Sequence, residues 1–170
     1  MDFKNYVRDI QNFPIEGITF KDITPLLKDK TALKAASEAM LELVGNVEVD
    51  KVVGMESRGF FFAPLLASCL DAGFVPVRKP GKLPYKKVRK VYALEYGTDA
   101  LEIHADSIEK GERILIHDDV LATGGTAKAT AELIEGLGGI VVQCNFLLEL
   151  KFLNGAAKLN GYPVKALVQY

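Results

Sequence analysis

The chain has 170 residues, 49% apolar and 25% charged, proportions of a folded globular protein and not of a disordered one. That length suits one domain, residues 1–170, with a single sizeable core. A net charge of −1 gives no global reason to expect nucleic acid or an anionic membrane as partner.

The first residues, MDFKNYVRDIQ, are charged throughout and lack a signal-peptide pattern. No apolar run reaches membrane-spanning length, so a cytoplasmic protein is expected. ALKAASEAMLELVG, Ala32 to Gly45, combines helix formers, helical spacing and a terminal glycine. DKVVGMESRG predicts a short strand and a polar turn, FFFAPLLASCLDAG a buried helix closing on Gly73, and FVPVRK a strand. The proline- and lysine-rich KPGKLPYKKVRK has a composition that refuses regular structure. VYALEYG and ALEIHA predict an antiparallel pair around Gly97-Thr98-Asp99. RILIHDD is a strand and AKATAELIEGLGG a helix, and IVVQCNFLLEL and VKALVQY are two more strands. Cys69 and Cys144 sit among apolar residues without a ligand spacing, and both are expected as small core residues.

Strands alternating with helices imply a parallel sheet covered on both faces, with ligands at the carboxyl ends of the strands. Three polar turns follow strands in that way: Glu56-Ser57-Arg58-Gly59, Arg78-Lys79, and Asp118 to Thr126. The last carries the most chemistry. Gly124 and Gly125 before a helix let backbone N–H groups approach an anion, and Thr123 and Thr126 add hydroxyl donors. Neither the nucleotide-triphosphate pattern G-x-x-x-x-G-K-[ST] nor G-x-G-x-x-G is present, so a monophosphate fits better than a phosphate chain. Two ionised carboxylates beside that phosphate would repel it by a few kcal/mol at roughly 4 Å and an effective dielectric near 20. Asp118 and Asp119 make sense if the ligand puts hydroxyls there. A ribose 5-phosphate does so, its vicinal diol donating to the acids and its phosphate lying in the loop. Left alone, the acids could instead cap the next segment or be solvated.

The stretch ILIHDDVLATGGTAKA resembles the 5-phosphoribosyl 1-pyrophosphate (PRPP) motif of the type I phosphoribosyltransferases. FPIEGITFKDITPLLKD, SRGFFFAPLLA, VPVRKPGKLP, LEYGTDALEIH and DDVLATGGT are similar, in order and spacing, to the adenine phosphoribosyltransferase family. The resemblance covers Phe13 to Tyr170. It implies an α/β fold of the type I phosphoribosyltransferase kind: a central, mostly parallel sheet flanked by helices, a small N-terminal hood of about residues 1–30, and a flexible lid of about 79–100. It implies purine salvage, adenine and PRPP giving AMP and pyrophosphate, by a cytoplasmic homodimer.

Residue roles come with that resemblance. Asp118, Asp119 and the loop Ala122, Thr123, Gly124, Gly125 and Thr126 would hold the ribose 5-phosphate of PRPP. MESRG would be the pyrophosphate loop, with Arg58 as a bidentate fork and a non-proline cis peptide at Glu56–Ser57. Lys79 and Lys82 would reach the pyrophosphate from the lid, whose closure excludes water. Glu95 would be the acid–base residue near the purine N7 and N9 edge, although a glutamate on a hairpin is more often simply solvated. Thr19 and Lys21 would offer main-chain contacts to adenine, with Phe20 and Val120 on the ring faces; Phe20 as plain core is the competing view. Mg²⁺ would arrive on PRPP, without a protein metal site.

Some features depart from the family pattern. His117 stands where an aliphatic residue is usual and, facing away from Asp118, is expected to pack rather than react. Thr19 also replaces an aliphatic residue, and His104 is expected to be exposed. The rival readings are a 6-oxopurine (hypoxanthine, guanine or xanthine) phosphoribosyltransferase and a non-catalytic PRPP-sensing regulator.

Overall fold

The computed structural model describes residues 1–93 and 97–170, in two compact units, Met1–Ala39 and Met40–Tyr170. The first unit opens on an antiparallel hairpin of β1 (Arg8–Gln11) and β2 (Thr19–Asp22). Its register sets Arg8 opposite Asp22, and their side chains close the pairing as a 2.6 Å ion pair. Phe13 and Phe20 meet edge to face, ring centres 5.2 Å apart, and the Phe13–Pro14 peptide is cis. The short α1 (Thr24–Lys28) follows, with proline in its first turn. The helix expected from Ala32 is α2, Lys30–Val44. It starts earlier because the Asp29 carboxylate accepts from the N–H groups of Thr31 and Ala32, each at 2.9 Å. Ala32, Ala36, Met40 and Val44 form one buried stripe along it at a spacing of four.

The second unit runs β3 (Lys51–Met55), α3 (Ala63–Cys69), β4 (Gly73–Val77), β5 (Lys87–Ala93), β6 (Thr98–His104), β7 (Arg113–Leu121), α4 (Gly125–Gly136), β8 (Ile140–Glu149) and β9 (Val164–Gln169). Five strands form one sheet in the order β4-β3-β7-β8-β9. Every neighbouring pair in it is parallel, so the expected mostly parallel sheet is wholly so. β5 and β6 pair separately as the antiparallel hairpin anticipated around Gly97. Near-continuous apolar runs in β3, β7 and β8 are what a sheet covered on both faces demands. On one face Val53, Met55, Ile114, Ile116 and Phe146 pack with Ala127, Ala131 and Ile134 of α4. On the other, Gly54 lets Ala63 of α3 approach so closely that an added Cβ would lie 2.8 Å from the alanine Cβ.

The sheet order reverses between β3 and β7. The chain goes from β3 out to the edge strand β4, then returns to lay β7 on the other side of β3. In open parallel sheets that switch point is where a crevice opens at the carboxyl ends. The register makes the opening explicit. β3 pairs with β7 only from Lys51↔Ile114 to Gly54↔His117, whereas β8 follows β7 to Leu121↔Glu149. Asp118 and Asp119 therefore lie beyond the last β3 pairing.

Four expectations are corrected. The predicted helix from Phe60 to Gly73 is a 3-10 turn, Arg58–Phe61, followed by a seven-residue helix. Pro64 suits the start of that helix, Asp71 at φ 53° ends the descent from it, and Gly73 already belongs to β4. The lysine-rich stretch is not wholly irregular: β5 begins at Lys87. Its basic side chains are tied to acids of other elements, Lys87 to Glu102 at 3.1 Å and Lys90 to Glu132 at 2.7 Å. Cys69 is exposed at the end of α3, while Cys144 is buried as expected; burial pushes the Cys144 thiol up to about 12. His104 is half-buried rather than exposed, its ring 6.3 Å from that of Tyr85.

Candidate active site

The floor of the site is the end of β7. Asp119 is 3% exposed, and its Oδ2 forms an ion pair with Arg58 Nε at 2.9 Å. Asp118 turns one carboxylate oxygen to the Asp119 N–H, 2.9 Å away, and lines a pocket with Val120 and the loop Ala122 to Thr126. The two acids thus have different surroundings, one locked to a guanidinium and one open to the pocket. Burial pushes both carboxyl groups up. The Asp119 charge raises Asp118 further, while Arg58 pulls Asp119 back down.

The pocket wall is the turn into α4. Gly124 caps the helix at φ 76°, a conformation that favours glycine. The N–H groups of the first turn lack intrahelical partners and carry the positive end of the helix dipole. This is a concave anion seat, built of the five loop residues singled out in the sequence. Its backing was not foreseen. A Cβ on Gly155 would lie 2.1 Å from the Ala122 carbonyl oxygen and 2.9 Å from the Gly124 nitrogen. The turn after Asn154, itself left-handed at φ 50°, is therefore pressed against the loop. The dipeptide Asn154-Gly155 signals a turn but nothing about its partner.

The second wall is the turn after β3, whose Glu56–Ser57 peptide is cis, where the resemblance puts it. Gly59 lies so close to β7 that a Cβ there would sit 2.9 Å from Asp118 Oδ1. Glu56 gathers the cations that follow β4. Its carboxylate accepts from Arg78 Nη2 at 3.2 Å, Lys82 Nζ at 2.6 Å and the Lys79 N–H at 2.9 Å. Burial raises the Glu56 carboxyl, but these donors prevail and hold it at about 2. The Lys79 ammonium turns elsewhere, to Asp99 and to the Tyr92 hydroxyl at 3.3 Å. Tyr92 in turn reaches Thr126 Oγ1 at 3.2 Å. Tyr92, Asp99 and Gly155 were missed by sequence reasoning, and Glu56, though placed in the pyrophosphate loop, was given no partners, since these come from distant stretches of chain.

Arg58, Asp118, Asp119, Val120 and Ala122 to Thr126 are thus brought together, with Lys79 joined to Thr126 through Tyr92 and Lys82 held on the Glu56 turn. Thr19, Phe20 and Lys21 lie on β2 of the N-terminal unit. There the Thr19 hydroxyl donates to Gln11 at 2.8 Å and Lys21 pairs with Asp9 at 2.7 Å. Glu95 falls outside the described residues. His117 is fully buried, edge-on to Phe62 with ring centres 6.3 Å apart, and burial pushes its imidazole down to about 4. It packs, as expected. Among the described residues no group of three or more His, Cys, Asp or Glu side chains converges as a metal site. Among the described residues no helix is long and apolar enough to cross a membrane.

A doubly wound sheet with an anion seat and an acid pair at its switch point has the arrangement a phosphorylated sugar would need. Residues 22–154 match the family model described as phosphoribosyl transferase domain, and the chain belongs to that family. Within it, the chain is 60% identical over its whole length to the adenine phosphoribosyltransferase of Flavobacterium johnsoniae, of which it covers 100%. The crystal structure of adenine phosphoribosyltransferase from Thermoanaerobacter pseudethanolicus superposes with a TM-score of 0.98 at 49% identity, covering 99% of this chain and 98% of that one. The Saccharomyces cerevisiae enzyme, solved with adenine and an imino-altritol bisphosphate, superposes with a TM-score of 0.91 at 42% identity, covering 98% and 96%.

Proposed function

We infer that the chain transfers the 5-phosphoribosyl group of PRPP to N9 of adenine, giving AMP and pyrophosphate. The observation that carries this is the anion seat at α4 set directly after a partly buried acid pair, in a chain of this family. The C1–pyrophosphate bond breaks, the C1–N9 bond forms, and the N9 proton of adenine leaves. Positive charge then develops on the ribose ring and negative charge on the departing pyrophosphate.

Each group has a task in that reaction. The loop Ala122 to Thr126 cradles the 5-phosphate with N–H and hydroxyl donors. Asp118 and Asp119 accept from the ribose hydroxyls, and their negative charge favours the cationic ring of the transition state. Arg58 and the ammonium groups of Lys79 and Lys82 receive the leaving pyrophosphate. The carboxylates beside the pocket are hard oxygen donors that suit Mg²⁺ carried in on PRPP, and that ion supplies further charge neutralisation on the phosphate oxygens. Glu95 takes the proton lost from the purine, a contribution typically worth about 10²- to 10⁴-fold. The backbone of Thr19 to Lys21 reads the adenine edge, with Phe20 and Val120 as apolar contacts to the base.

The deciding experiment offers the purified protein PRPP, Mg²⁺ and adenine, hypoxanthine, guanine or xanthine in parallel, following nucleotide and pyrophosphate. AMP alone is the expected product. IMP or GMP would overturn the assignment of the base, and PRPP binding without any product would make the chain a sensor. Replacing both acids, Asp118→Asn with Asp119→Asn, is expected to raise the KM for PRPP at least tenfold, as about 1.5 kcal/mol or more is lost with two charged acceptors. An unchanged KM would remove the ribose role. Glu95→Gln is expected to lower kcat far more than PRPP affinity. The same reading makes the protein a cytoplasmic homodimer. Light scattering is expected to give twice the 18.6 kDa chain mass, and a monomer mass would overturn it.

A further inference from the structure

Tyr92 joins two parts of the site that the reaction uses separately. Its ring lies along the start of α4, where a Cβ added to Gly125 would meet Tyr92 Cδ2 at 3.6 Å. Its hydroxyl oxygen is 3.3 Å from Lys79 Nζ, 3.2 Å from Asp99 Oδ2 and 3.2 Å from Thr126 Oγ1. Three partners surround one proton, and the inventory of donors fixes its direction. An ammonium only donates and an ionised carboxylate only accepts, whereas each hydroxyl has one proton and two lone pairs. Tyr92 must therefore give its proton to Asp99 and accept from Lys79. With that proton spent, Thr126 is the donor in the contact between the two hydroxyls.

That arrangement leaves the Thr126 proton aimed at Tyr92 and not at the anion seat. A phosphate in the seat needs it, and the hydrogen bonds can rearrange without breaking a covalent bond. Thr126 turns its proton to the phosphate. Tyr92 then turns its own from Asp99 to the lone pair that Thr126 now presents, and still accepts from Lys79. A hydroxyl that accepts one hydrogen bond becomes a better donor in the next, so Tyr92 strengthens and fixes the Thr126 contact while anchoring the Lys79 ammonium.

We propose that Tyr92 is a positioning residue for PRPP, a hydroxyl relay that orients Thr126 toward the 5-phosphate and Lys79 toward the pyrophosphate. This rests on the roles given above to the α4 loop and to Lys79. The ring packs against Gly125 and the core and has the Lys79 ammonium 5.9 Å from its centre; a phenylalanine ring keeps these contacts, so Tyr92→Phe removes the relay alone.

The test is a pair of double-mutant cycles read by calorimetry, one ligand for each end of the relay. Tyr92→Phe is expected to weaken ribose 5-phosphate and pyrophosphate about fivefold each, the worth of about one net hydrogen bond. It is expected to raise the KM for PRPP about tenfold or more, with kcat within threefold of wild type. In a Thr126→Val background, Tyr92→Phe is expected to change ribose 5-phosphate affinity by less than twofold; in a Lys79→Met background, the same holds for pyrophosphate. A merely structural role would leave the full factor in both backgrounds, and that result overturns the relay alone. If Thr126→Val leaves ribose 5-phosphate affinity unchanged, or Lys79→Met leaves pyrophosphate affinity unchanged, the underlying assignment of that group fails and the relay fails with it. Should Tyr92→Phe fold poorly, Asp99→Ala reports on the same proton. It frees Tyr92 to donate to Thr126 in advance, and ribose 5-phosphate is then expected to bind more tightly; weaker binding overturns the relay.

Discussion

A methyl group on Gly155 would meet backbone, not a side chain that could swing away. Its distance of 2.1 Å from the Ala122 carbonyl oxygen is far inside van der Waals contact, so the phosphate loop itself must move. Gly155→Ala is expected to raise the KM for PRPP about tenfold or more and to lower stability by about 1–3 kcal/mol, as overpacking does. Steady-state kinetics and thermal unfolding check both. Gly161 is the control: it sits at φ 100° with nothing within 4 Å of an added Cβ, so Gly161→Ala is expected to cost stability through backbone strain but to leave the KM unchanged. Equal effects on KM would mean the loop is not held by Gly155. At this scale the sequence discloses groups whose chemistry is contiguous. Asp118, Asp119 and the Ala122–Thr126 loop stand in one run of nine residues, Asp118 to Thr126, and could be read as a ribose phosphate site. Gly155, Tyr92 and Asp99 act through partners from other elements, and no local pattern marks them.

Among the elements, the turn after β3 and the segment after β4 behave as one unit because Glu56 binds both. Glu56→Gln removes the charge that Arg78 and Lys82 neutralise and weakens the acceptor for the Lys79 N–H. The amides of Lys79, Gly81 and Lys82 are expected to exchange faster in the variant while those of β7 are unchanged, and the KM for PRPP is expected to rise about tenfold, in keeping with hydrogen bonds to charged groups at about 1.5–3 kcal/mol. Unaltered exchange at these three would show that the segment is held by other contacts. The sign of the pH effect follows from the depressed pKa. Glu56 titrates at about 2 in the folded chain against 4.5 ordinarily, so its contribution is complete above 4.5 and is lost as pH falls toward 2. The same element scale shows why β5 was half hidden. A strand outside the main sheet has no need of an apolar face, and the lysines of β5 read as loop until Glu102 and Glu132 are seen beside them. β3, β7 and β8 were plain because a buried parallel strand must be apolar almost throughout.

For the whole molecule, the strand that carries the acid pair also carries a buried base that acid must charge on unfolding. His117 is fully buried and titrates at about 4 instead of 6.5, because burial penalises its charged form. Between those values the unfolded chain binds a proton that the folded chain refuses, so stability falls as pH drops from 6.5 toward 4. Asp118 and Asp119 pull the other way: with carboxyl groups raised by burial, the folded chain holds protons there that the unfolded chain has released. The wild-type profile sums these opposed slopes with those of Glu56 and the other ion-paired carboxylates, whose pKa values are lowered, and only a difference between variants isolates the histidine. His117→Val places a β-branched apolar residue in a buried parallel strand and leaves the acids in place. Denaturant unfolding at a series of pH values is expected to show wild type losing about 1.6 kcal/mol relative to the variant between pH 6.5 and 5, the slope rising from about half of 1.36 kcal/mol per pH unit toward the full value. Parallel profiles would mean that water reaches the imidazole, and that the floor of the site is less closed than its packing against Phe62 implies.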